Sequence, residues 1–174
     1  MLHIAFYTGD HKADAGWRAR FGVAIIRLAQ RGAKFADATH CEIILGRSET
    51  GESIIGSATM IPENKVTGRN GVRIKSVTLA AEHWRVYLIP YSDRKRALAF
   101  FQKEDGKPYD LFGAIASAVN IFIAKADSWF CSKICAEALG LVDGGQFTPA
   151  ELEAVCASVG TDVTEFYFKE VGHD

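Results

Sequence analysis

The sequence predicts an α+β fold in one domain spanning residues 1–174, and three observations carry that prediction. Short apolar stretches with two-residue alternation fill the first half of the chain. Capped stretches with helical spacing fill the second half, and strands followed by helices, not alternating with them, indicate segregated layers. The length, 174 residues, suits one domain that buries about 70% of its unfolded surface without disulfides or metal.

Taken in order, Leu2 to Tyr7 reads as a strand ended by Thr8-Gly9-Asp10. Trp17, Phe21, Ile25 and Leu28 recur at helical spacing, so Trp17 to Arg31 reads as an amphipathic helix stopped at Gly32. Thr39 to Leu45 and Ser53 to Ala58 are strands around the polar turn Gly46 to Gly51. Met60 to Asn70 reads as a loop closed by Asn70-Gly71. Val72 to Lys75 and Trp84 to Leu88 alternate apolar and charged residues, as antiparallel strands with one wet face do.

Ser92 or Asp93 can cap a helix carrying Leu98 and Phe101 and ending near Gly106. Asp110 can cap the apolar stretch Leu111 to Ala124. Ser128 can cap a helix from Trp129 to about Leu139, with Gly140 placed to end it. Thr148-Pro149-Ala150-Glu151 matches a capping box opening a helix to Ser158. Thr164 to Phe168 reads as a last strand rejoining the sheet.

Composition narrows the function classes. Twenty Lys and Arg against 21 Asp and Glu leave a net charge of -1, so no strong field draws in nucleic acid. The one basic run, Arg94-Lys95-Arg96, reads as a solvated helix face. Leu111 to Ala124 is shorter than the roughly 20 residues of a membrane span, which implies no transmembrane segment and leaves peripheral lipid contact open. The N-terminus lacks a basic region before a long apolar one. The expectation is synthesis and folding in the cytoplasm, with later movement left to a phage or a dedicated export system.

Four cysteines, Cys41, Cys131, Cys135 and Cys156, are too few to suggest a disulfide scaffold. Cys131 and Cys135 share a helix face, but no second close Cys/His pair completes a tetrahedral metal set, since His40 and Cys41 point to opposite strand faces. With Ser128 as cap, Cys131 lies about three residues into its helix, where free N–H groups and the helix dipole lower a thiol pKa. Cys135 and Cys156 read as packed residues.

His40, on an apolar strand, is the natural base for Cys131. His3 and His173 lie near the termini, His11 in a polar loop and His83 just before a strand. Glu42 shares a strand face with His40 and can orient the imidazole, though a solvent-facing role is as good a reading.

The strand Thr39-His40-Cys41-Glu42-Ile43-Ile44-Leu45, the stretch Gly106-Lys107-Pro108-Tyr109-Asp110-Leu111-Phe112-Gly113 and Trp129-Phe130-Cys131-Ser132-Lys133 resemble the circularly permuted papain-like proteins. More narrowly, they resemble the permuted NlpC-type group that includes YiiX- and YaeF-like proteins and prophage-encoded relatives. The resemblance covers roughly residues 37 to 140. It implies a papain-like antiparallel sheet packed against helices, with the histidine preceding the cysteine in the chain.

By resemblance, Cys131 is the nucleophile and His40 the general base of a thiol hydrolase. Its implied substrates are a peptide, peptidoglycan or lipid ester, and it needs no cofactor or metal. The third polar residue of such proteins would fall near Ser57, where neither Gly56 nor Ser57 is a strong orienter. Glu42 is the better choice, with Glu52 behind it. Tyr109 and Asp110 are expected to pack and to cap. Two alternatives stay open: a lipid-acting acyltransferase or esterase on the same fold, and a catalytically inactive binding or phage-structural module.

Overall fold

The computed structural model describes residues 1–9, 24, 26–28, 30–60, 70–118, 127–141 and 147–170. Six strands are assigned: β1 (Leu2–Tyr7), β2 (His40–Arg47), β3 (Ser53–Thr59), β4 (Gly71–Val77), β5 (Trp84–Ile89) and β6 (Thr161–Asp162). The helices are α1 (Arg94–Glu104), α2 (Leu111–Ala118), α3 (Cys131–Leu139), α4 (Pro149–Val159) and α5 (Thr164–Glu170). The strands form one antiparallel sheet in the order β4-β3-β2-β1-β5-β6. The fold is α+β.

Alternation along each strand splits the apolar residues between two cores. Leu2, Ile4 and Phe6 of β1 and Cys41, Ile43 and Leu45 of β2 meet Phe101 of α1, Ile134 and Cys135 of α3 and Leu152 of α4. Ala5, Ile44, Ile55 and Val86 face the other way, onto Tyr167 and Phe168 of α5. Gly56 lets the first core close tightly, because a Cβ there would meet the Phe101 ring at 2.7 Å. Burying a side chain such as Phe101, fully enclosed here, contributes roughly 1.5–3 kcal/mol.

The caps explain most helix ends. Asp93 accepts from the N–H groups of Lys95 and Arg96, and Thr148 and Glu151 form the complete capping box. Ser92, the other candidate cap for α1, is used elsewhere: its Oγ accepts from Leu2 N–H and donates to the Ile89 carbonyl. Asp110 Oδ1 accepts from Gly113 N–H at 2.8 Å, opening α2. Gly140 takes the left-handed conformation, φ 74°, and its N–H closes α3 onto Ala136 and Glu137.

Two expectations are corrected. Thr164 to Phe168 is not a strand but the start of α5; the sheet is rejoined by the two residues of β6. Asp162 Oδ1 accepts from Thr164 N–H at 3.0 Å, turning the chain into a helix, and Val163, Tyr167 and Phe168 fall on one helical face toward the second core.

Ser128 does not cap α3, which begins at Cys131 after Phe130 as N-cap. Residues 128–130 are held extended because Trp129 forms a parallel bridge to Tyr109. Asp110 N–H donates to the Trp129 carbonyl and Trp129 N–H to that of Pro108, while the indole N–H donates to Glu104 at 2.7 Å. Of the helix read at Trp17 to Arg31, residues 24 and 26–28 are helical and most others lie outside the described residues, as do residues 61–69 of the loop Met60 to Asn70 and 119–124 of the stretch Leu111 to Ala124.

Candidate active site

Cys131 occupies the first position of α3 and is 3% exposed. In any α-helix the N–H groups of the first turn have no intrahelical acceptor. Phe130, an apolar N-cap, supplies no side-chain hydrogen bond to them. The helix therefore presents an uncapped positive end at the residue carrying the thiol. The bridge between Trp129 and Tyr109 fixes the approach to this end, and Lys133 Nζ lies 4.9 Å from the Trp129 ring centroid.

His40 is the first residue of β2. Strand alternation gives the face against α3 to Cys41, and His40 and Glu42 lie on the other face with Ile44. From the start of the strand the imidazole still acts on the thiol, each favouring the charged form of the other. Its Nε2 is 3.3 Å from Glu42 Oε1 and 3.4 Å from Ser57 Oγ. Side-chain exposure is 18% for His40 and 6% for Glu42, so little water screens the pair.

The thiol and the imidazole shift in opposite directions. The hydrogen bond from the Cys41 thiol is the largest influence on Cys131, burial opposes it, and the His40 charge and hydrogen bond add to it; the outcome lies well below the ordinary 9.0. Burial works against a charged His40, but the Cys131 thiolate and then Glu42 outweigh it and raise its pKa to about 10. A thiolate beside an imidazolium is the charge state this geometry favours.

Three neighbours carry more weight than the sequence reading gave them. Cys41 hydrogen-bonds Cys131; burial, together with its bonds to Cys131 and Cys135, pushes its own pKa well above 9.0 and keeps it a thiol. The available signal was parity with Ile43 and Leu45, which puts Cys41 on the core face of β2 toward α3. Ser57 donates to the Cys41 carbonyl at 2.9 Å as well as approaching His40. Tyr109 is held protonated by burial and by the negative charge of Cys131, so its phenol stands by the thiolate as an O–H.

Glu52 is not brought to this site. It belongs to the turn between β2 and β3, where it accepts from Thr50 Oγ1 at 3.4 Å. Cys135 and Cys156 are fully buried in the first core. Among the described residues there is no group of three or more His, Cys, Asp or Glu positioned to hold a metal, and no helix is long and apolar enough to cross a membrane. No family model matches the chain, and neither the curated proteins nor the solved structures include a significant match.

Proposed function

We propose that this chain is a cysteine hydrolase of the circularly permuted papain-like, NlpC type, cleaving an amide bond such as those in peptidoglycan. The observation that carries the reading is the placement of Cys131 at the uncapped start of α3 with His40 held by Glu42 at 3.3 Å at the start of β2, and the opposite shifts of thiol and imidazole agree with it. The Cys131 thiolate attacks the substrate carbonyl carbon, and the helix N–H groups receive the oxyanion that forms. His40, with Nε2 turned toward Glu42 and Ser57, has Nδ1 left for the thiol and the leaving group. It donates its proton to the departing amine, and the thioester remains on Cys131. Neutral His40 then takes a proton from water, the hydroxide attacks the thioester, and the carboxylic acid leaves as the ion pair is restored. Glu42 is a positioning residue: its carboxylate favours the charged imidazole and fixes its ring.

The test is the pH dependence of Cys131 alkylation, read by peptide mass spectrometry, in wild type and His40→Ala. The reading requires a thiolate persisting well below pH 9.0 in wild type and lost at that pH in the variant. A thiol indifferent to His40 would leave only the inactive binding module. Cleavage of peptidoglycan fragments and lipid esters then identifies the bond. Phe112 of α2, 71% exposed two residues after Asp110, favours the lipid-ester form of the same chemistry as second reading. Activity that rises at detergent interfaces, with transfer to alcohols exceeding hydrolysis, would select it.

A further inference from the structure

The start of α3 breaks three local rules at once. A helix N-terminus favours a polar cap and negative charge in its first turn, yet here the cap is Phe130 and the first turn holds no acidic residue. Its third residue is a lysine instead. Lys133 folds back toward the helix start, where its Nζ donates to the Ser128 carbonyl at 3.2 Å and stands 4.9 Å from the Trp129 ring centroid. The third departure is Ser128 itself. Among the described residues, its hydroxyl is the one buried side-chain oxygen or nitrogen without a hydrogen-bond partner. Such orphans are rare, because each gives up the hydrogen bonds it made in water.

The Cys131 thiolate answers the helix dipole, but it accounts for neither Lys133 nor the Ser128 hydroxyl. An anionic oxygen between those two would account for both. A serine Oγ lies within about 4.5 Å of its own carbonyl oxygen, and Lys133 Nζ is 3.2 Å from that carbonyl, so one carboxylate can accept from each. The two acids beside Trp129 are engaged with Lys107. Glu104 pairs with it at 2.7 Å while accepting from the indole, and Asp127 pairs with it at 3.7 Å. The neighbouring hydroxyl, Ser132 Oγ, donates to the Phe147 carbonyl. The spot lies just beneath the surface, since Lys133 is half-buried and the Asp127 side chain is 92% exposed.

We propose that Ser128 and Lys133 form a carboxylate subsite, and that the bond cleaved is an amide with a carboxylate close to its carbonyl. This rests on the reading of Cys131, two residues before Lys133, as the nucleophile. The helix N–H groups keep their role of receiving the oxyanion of the intermediate, which exists only during reaction. The subsite holds a charge that the substrate carries throughout. The Trp129 ring and the Ser128 carbonyl already fix the ammonium, so little side-chain freedom is lost when an anion arrives. Neutral amides and uncharged lipid esters gain nothing from it.

Two alkylating reagents that differ in one group provide the test: iodoacetate, with a carboxylate on the reacting carbon, and neutral iodoacetamide. Rates at each cysteine are read by peptide mass spectrometry in wild type, Lys133→Met and Ser128→Ala. In wild type the ratio of iodoacetate to iodoacetamide rates at Cys131 should exceed that of free cysteine. Lys133→Met should lower the ratio by at least about fivefold, and Ser128→Ala by about two- to threefold. Ser128→Ala should also keep or raise the melting temperature, because it removes an orphan hydroxyl; a clear drop would make the hydroxyl structural and overturn its place in the subsite. A Lys133 that only favours the thiolate would slow both reagents alike, so an unchanged ratio overturns the proposal. A ratio that Lys133→Met lowers and Ser128→Ala leaves alone does the same. Cys131 reacting no faster than Cys135 with iodoacetamide overturns instead the nucleophile on which the subsite rests.

Discussion

Among the described residues, two polar clusters are built on opposite plans. Around Arg85 on β5, every polar contact is short. The guanidinium donates to Glu153 at 2.6 and 2.8 Å and to Asp37 at 2.7 and 2.9 Å, and the Tyr87 hydroxyl adds a bond to Glu153 at 3.1 Å. Around His40 the contacts are 3.3 and 3.4 Å, and the influences that favour charge come from the Cys131 thiolate and then Glu42. The first cluster saturates its donors and acceptors and ties β5 to α4 and to the segment before β2. The second leaves its helix end uncapped and divides charge between two groups that can exchange a proton. A saturated network holds structure, whereas an open one is available for chemistry.

Substitutions should separate the two clusters. Cys131→Ala should cost at least about 10³-fold in turnover of any cleaved substrate, with the folded state retained by circular dichroism. Arg85→Ala should do the reverse. It strands the fully buried Glu153 carboxylate, for which breaking one side of a buried ion pair costs about 3–5 kcal/mol. Denaturant midpoints at pH 7 measure that loss, and Cys131 alkylation in the variant below its midpoint should keep the wild-type pH profile. If Arg85→Ala instead shifted the thiol profile while stability held, the separation of structure from chemistry would be wrong.

The pH response of the open cluster follows from its shifts. His40 is raised from 6.5 to about 10, so its contribution to stability is complete below pH 6.5 and is lost as pH rises through about 10. Cys131 is lowered from 9.0, so its contribution is present above pH 9.0 and is lost as pH falls through the depressed value. The ion pair occupies the interval between those two limits. His40→Ala should therefore reduce the Cys131 alkylation rate near pH 6 by at least about tenfold, one pKa unit being about 1.4 kcal/mol. A profile with no such loss would remove His40 from the site.

The two clusters also differ in how much of them the sequence reveals. The strands of the central sheet were legible from alternation, and α4 from its capping box, because those signals are local. His40, Glu42 and Cys131 were legible as candidate residues, but their placement together depends on a strand start lying near a helix start. Three things were hidden. The start of α3 is set by Trp129, which is fixed by Glu104 and by the bridge to Tyr109, and those long-range contacts override the preference of Ser128 for capping. Helix α5 was hidden because Thr164, Phe166 and Phe168 alternate as a strand would, while Asp162 and the second core impose a helix. The Arg85 cluster joins positions 37, 85 and 153, which no local pattern connects.

The smallest effects sharpen the comparison most, because they concern the two groups sharing His40 Nε2. Hydrogen bonds to charged groups are worth about 1.5–3 kcal/mol when well formed. At 3.3 Å Glu42 belongs at the low end of that range. Glu42→Gln keeps the shape and removes the charge, so it should lower the alkaline limit of Cys131-dependent activity by about one pH unit. Ser57 is neutral, lies at 3.4 Å, and spends its proton on the Cys41 carbonyl. Ser57→Ala should change the rate by no more than about threefold, equivalent to about 0.6 kcal/mol, and should not move the alkaline limit. Titration of His40 by proton NMR in the two variants checks the order directly. If Ser57→Ala moved the imidazole more than Glu42→Gln, the hydroxyl and not the carboxylate would be the orienting group, and the charge Glu42 adds to the open cluster would lose its role in the chemistry.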